Sequence, residues 1–178
     1  MPSATGPFEG MTMFFDDGTR FVAGLAATPM IQYYDATRDE VFLKRTLVPY
    51  LREIAAFYLS YAVKNATTGL YHLPYTCAQE TCDGGGSAPG NMPPARKDNH
   101  QDIAYCTQSL QKLLEYTTVG ADWGPSIAQD RANWTAFLQD LVPFPLVSNR
   151  NLTVYADARN ADNSARAWDS NVGYAISH

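Results

Sequence analysis

Apolar residues recurring at three- and four-residue steps constrain this chain more than any other feature. Leu47, Tyr50, Leu51, Ile54, Tyr58, Tyr61 and Ala62 keep that step, while Arg52, Glu53, Ser60 and Lys64 fall largely between them. This is the pattern of a helix that buries one stripe. Three of the stripe residues are tyrosines, so its inner face is aromatic. The helix is expected to end near residues 65–69, where Gly69 is a natural stop.

The same period recurs on both sides. A first helix is predicted over residues 20–36, with Pro29 kinking it or starting a new turn. Asp39 resembles an N-cap for a short amphipathic turn over residues 41–46 that runs toward Pro49. Residues 70–75 are too short for a helix and read as extended chain. A third helix is predicted over residues 99–118, with Ile103, Cys106, Leu110, Leu113, Leu114 and Thr117 on one stripe, Asp98 as its cap and Gly120 as its stop. Pro125 opens a fourth, carrying Ile127, Ala128, Trp134, Phe137, Leu138 and Leu141. Residues 1–19 read as loop, and residues 143–178 as mostly loop with short extended runs. Residues 76–97 hold Gly84, Gly85, Gly86, Pro89, Gly90, Pro93 and Pro94, which makes a long loop of the kind that is usually functional or disordered. Successive helix pairs with long loops leaving one end are characteristic of helical toroids, in which function sits on the loops.

Composition narrows the function. With 46% hydrophobic and 17% charged residues the chain can fold around a real core. The net charge of -5 is spread without a Lys/Arg block, so nucleic acid is not expected as a partner. The longest apolar stretches are about half the roughly 20 residues a membrane span needs, and residues 1–10 lack the basic and apolar regions of a secretory signal. No strand-helix-strand repeat or glycine-rich phosphate loop is present, which argues against a nucleotide enzyme, and no cofactor is expected. Asn65-Ala66-Thr67, Asn133-Trp134-Thr135 and Asn151-Leu152-Thr153 are N-glycosylation sequons, and they point to the secretory pathway or the extracellular space. The three cysteines are an odd number, which suggests a free thiol or a partner elsewhere. Cys77 and Cys82 could close a small loop; their spacing also fits a metal, but no His or second Cys pair completes a site.

Three segments give the order of features a likeness. Residues 29–43 (PMIQYYDATRDEVFL) resemble a helix ending in a Tyr-x-x-Thr-Gly-Asp-x-x-Phe-Leu step, with Arg38 in place of the Gly. Residues 48–59 (VPYLREIAAFYL) are similar to a Tyr-Pro-Leu-Leu-Lys-x-x-Ala-x-Phe-Tyr helix. Residues 74–81 (PYTCAQET) match an extended piece followed by a Ser-Pro-Glu-Asn turn, with Ala78, Gln79 and Thr81 standing where the Ser, Pro and Asn would be. The patterns they resemble are those of the catalytic barrel of family 95 glycoside hydrolases, the inverting α-L-fucosidase group, and the resemblance covers about residues 11–118.

The resemblance implies an all-α fold, a partial (α/α)6 toroid of helical hairpins in a single partial domain spanning residues 1–178, with the remainder of the barrel as its partner and a carbohydrate as substrate. It places Glu80 on the general-acid position. Inverting hydrolysis needs such an acid, protonated, and a second group roughly 6.5–9.5 Å away to activate water. The family's water-activating residues have no equivalents here. Residues 98–105 (DNHQDIAY) resemble the polar start of the next barrel helix, so Asn99, His100 and Asp102 are candidates for contacts with sugar hydroxyls. Among the aromatic residues Trp168, flanked by Arg166, Asp169 and Asn171, is the best candidate for stacking on a sugar ring. His72 reads as a structural histidine. The alternative to a glycosidase is a non-catalytic glycan-binding or structural domain derived from the same barrel. As an isolated half-toroid the chain is expected to expose apolar surface and to be poorly soluble.

Overall fold

In the computed structural model, residues 21–74, 97–118, 123–149, 152–156, 158–159 and 165–166 are described. They are mostly helical. The central element is α4 (His100–Tyr116), which packs against α1 (Val22–Thr37), α3 (Val48–Tyr61) and α5 (Ile127–Asp140). Its buried residues Ile103, Cys106, Leu110 and Leu113 lie on the stripe read from the sequence, whereas Leu114 is only half-buried. Each fully buried leucine side chain contributes on the order of 1.5–3 kcal/mol. Ala27, Ile31 and Tyr34 of α1, Leu51, Ile54, Ala55 and Tyr58 of α3, and Trp134 and Phe137 of α5 complete the core.

Helical backbone runs through two prolines. α1 continues through Pro29, which lies on the exposed face, so the Leu25 carbonyl that loses its partner there can be hydrated. Asp39 is the N-cap, its Oδ1 accepting from the Val41 and Phe42 amides at 3.0 Å. The short turn it was expected to cap does not end before Pro49. α2 (Glu40–Phe42) passes into a π-helical turn (Leu43–Leu47) and on into α3 without leaving helical backbone. Val48 donates to the Leu43 carbonyl, five residues back. The widened turn lets a helix accommodate Pro49, which has no amide hydrogen to give.

Close approach between α1 and α4 depends on Gly24. A Cβ there would lie 2.5 Å from the Tyr105 Cβ. Polar ties join the other helices. Arg52 of α3 donates to Asp130 and to Ser126 Oγ at α5, and Arg131 of α5 donates to the Leu114 carbonyl and to Thr117 Oγ1, satisfying the C-terminal end of α4.

The strands are short antiparallel pairs. β1 (Val63–Lys64) pairs with β2 (Tyr71–His72), Val63 opposite His72. β2 also carries the chain after α5, through Val142 N to Tyr71 O at 3.0 Å. β3 (Leu146–Asn149) pairs with β4 (Leu152–Tyr155), and β5 (Ala158–Arg159) with β6 (Ala165–Arg166). The extended runs expected after residue 143 are therefore paired strands. No described helix is long and apolar enough to cross a membrane.

Candidate functional site

Five polar residues, His72, Asp98, Asn99, His100 and Asp102, gather where β2 meets the N-terminal end of α4. Pro74 and Lys97 form an antiparallel bridge, and the Asp98 amide donates to the Leu73 carbonyl at 2.8 Å. The two ends of the segment 75–96 are thus fastened side by side at the foot of α4.

Asp98 makes that junction. Its backbone is left-handed, at φ 58°, a conformation that Asp adopts more readily than most residues. Its side chain is fully buried, with Oδ1 accepting from the Leu73 amide at 2.9 Å and Oδ2 2.7 Å from His72 Nδ1. Asp98 is therefore not the helix cap. That role belongs to Asn99, whose Oδ1 accepts from the Gln101 amide at 2.7 Å. His72 is held by Nδ1, and its Nε2 makes no bond among the described residues. A histidine oriented through one nitrogen by a buried carboxylate presents the other for proton transfer or for a hydrogen bond. The sequence reading of His72 as structural holds for Nδ1; it missed the partner, because Asp98 lies 26 residues away and no local pattern links them.

Asp102 sits in the first turn of α4, where the helix dipole favours a negative charge. It is fully buried beside Tyr58 and Cys106. Burial, and after it the Asp102 carboxylate, push the Tyr58 hydroxyl and the Cys106 thiol up, so both stay protonated. Cys106 is a buried core thiol without a disulfide. Tyr61 donates to the Pro74 carbonyl and ties α3 to the same corner.

Of the candidate sugar contacts, Asn99, His100 and Asp102 come together at this corner, and only His100 retains accessible surface. Glu80, Trp168, Asn151, Cys77 and Cys82 lie outside the described residues. Asn65 stands on the β1–β2 hairpin and Asn133 on the exposed face of α5. A separate open cavity of about 390 Å³ is lined by Lys44, Val48, Pro49, Arg52, Glu53 and Trp123, and no residue of the cluster borders it. Among the described residues no group of three or more His, Cys, Asp or Glu side chains is placed to hold a metal ion. The cluster is suited to acid–base and hydrogen-bonding chemistry.

No protein family, curated protein or solved structure matches this chain.

Proposed function

We propose that this chain forms one side of the sugar cleft of an inverting, α-L-fucosidase-like glycoside hydrolase of the (α/α)6 type, acting on extracellular or cell-wall glycans. The observation that carries the reading is the fastening of both ends of the segment 75–96 at the polar foot of α4. Glu80, which the family resemblance assigns as general acid, lies six residues beyond Pro74. Fully extended chain covers at most about 20 Å over that length. In this reading the acid serves the corner that holds His72, Asp98, Asn99, His100 and Asp102.

In this reading Glu80 protonates the leaving glycosidic oxygen, and water activation falls to groups supplied by the rest of the barrel. His100 offers the accessible sugar contact. Asn99 acts as the helix cap that fixes the turn before it, and Asp98 keeps His72 Nδ1 engaged. Trp168 supplies a stacking surface. The three sequons support a secretory-pathway reading.

Hydrolysis of a panel of aryl glycosides, including an α-L-fucoside, by the full-length parent protein and its Glu80→Gln variant tests the proposal. Activity in the parent and its loss in the variant is the expected result. No activity in either, with sugar binding retained, would assign the chain to a glycan-binding domain instead.

A further inference from the structure

We propose that Asn65, at the turn of the β1–β2 hairpin, is an N-glycan acceptor and that Asn133 is not. The inference rests on the secretory reading above and goes beyond it, because it distinguishes between sequons that the sequence presents as equals. The hairpin closes through the Asn65 amide to the Leu70 carbonyl and the Gly69 amide to the Asn65 carbonyl, both at 2.8 Å. Gly69 supplies the positive φ of 74° that this turn requires, with nothing near the position of a Cβ. Ala66, Thr67 and Thr68 are all exposed.

Within the turn the Asn65 side chain is already oriented. Its Oδ1 accepts from the Thr67 amide at 2.8 Å and the Thr68 amide at 3.2 Å. Nδ2, the atom that would carry the sugar, makes no bond among the described residues, and neither does the Thr67 hydroxyl. The amide and the threonine of this sequon therefore sit on one surface turn, as acceptors in surface loops do. Asn133 is placed differently. It lies inside α5, and its Oδ1 accepts from Gln129 Nε2 at 2.9 Å. Two residues of α-helix rotate a side chain by about 200°, so Thr135 faces away from Asn133. The intervening Trp134 is buried, which fixes this part of the helix against the core.

The co-reactant is an oligosaccharide carried on a polyprenyl diphosphate. Asn65 Nδ2 attacks its anomeric carbon, the new N–C bond replacing the C–O bond to the diphosphate. The polyprenyl diphosphate leaves, and the displaced Nδ2 proton passes to a base of the transferring enzyme.

The test is expression of the full chain in a eukaryotic host behind a supplied signal peptide, followed by peptide mass mapping before and after enzymatic glycan removal. Glycan on the peptide containing Asn65 and none on that containing Asn133 is the expected result. Thr67→Ala abolishes the sequon while leaving both backbone amides that bond Asn65, so it removes the glycan without disturbing the turn; Thr67→Ser retains it. An unmodified Asn65 in the secreted chain, or a glycan on Asn133, overturns the proposal. The secretory reading is checked separately, by fractionating cells that express the full-length parent without any added signal peptide. Retention in the cytosol defeats that reading and leaves the acceptor result standing.

Discussion

His72 Nδ1 and Asp98 Oδ2 meet at 2.7 Å, and the second oxygen of the same carboxylate takes the Leu73 amide, so one buried side chain clamps β2 to the start of α4. Asp98→Ala leaves the Leu73 amide without its acceptor and places an alanine in left-handed backbone. The expected loss is about 2–4 kcal/mol of stability, from a buried unsatisfied donor and the steric cost of that backbone. Asp98→Asn keeps an acceptor and the tolerance for this φ, and should lose about half as much. Urea denaturation of both variants checks this; an Asp98→Ala protein as stable as the parent would show that the clamp contributes nothing.

What the sequence disclosed about this corner was local, and what it hid was not. Helical period located α1, α3, α4 and α5 because their buried residues recur along one chain segment, and Asp39 was legible as a cap because its partners lie two and three residues on. The π-helical turn at Leu43–Leu47 was not legible. The sequence reading divides this stretch into a turn over residues 41–46 and a helix stripe beginning at Leu47, and the widened pitch that joins them has no local residue pattern of its own. Asp98 and Asn99 are both good capping residues, and the choice between them is made by Leu73 and His72, which claim Asp98 from another strand. Burial of Asp102 at the foot of α4 likewise depends on α3, through Tyr58.

Gly24 is expected to resist substitution even though it lies inside a helix. Alanine there would ordinarily add up to about 1 kcal/mol of helix propensity. The new Cβ would stand 2.5 Å from the Tyr105 Cβ, and neither atom can turn away because both are fixed to backbone. Separating α1 from α4 is expected to outweigh the propensity gain and leave Gly24→Ala about 1–2 kcal/mol less stable. A stabilised variant, read by thermal or urea unfolding, would mean that the two helices move apart freely.

Cys106 should be inert in the folded chain. Its thiol is fully buried, and burial together with the Asp102 carboxylate keeps it protonated, whereas the thiolate is the reactive form. Alkylation followed across a denaturant series and read on the peptide containing Cys106 is expected to begin only as the protein unfolds. Rapid labelling under native conditions would place the α3–α4 interface in frequent local opening.

Asp35 is the best-defined source of acid sensitivity. It accepts from Lys112 Nζ at 3.0 Å and from the Tyr116 hydroxyl at 2.9 Å, joining α1 to α4. Burial works against its ionisation, but the bonds from Lys112 and Tyr116 outweigh that effect and hold its carboxyl below the ordinary aspartate range. A carboxyl with a depressed pKa in the folded state stabilises that state at pH values above its unfolded pKa, about 3.9. The contribution is lost as pH falls through the folded value. Because the Asp35 side chain is 32% exposed, the effect should be modest, about 0.5–1 kcal/mol. Asp35→Asn is therefore expected to be less stable than the parent by that amount near neutral pH, with the gap closing as the pH drops below about 4. Parallel denaturation curves at neutral and acid pH measure the gap, and a difference that persists unchanged into acid would remove the carboxylate's charge as its cause.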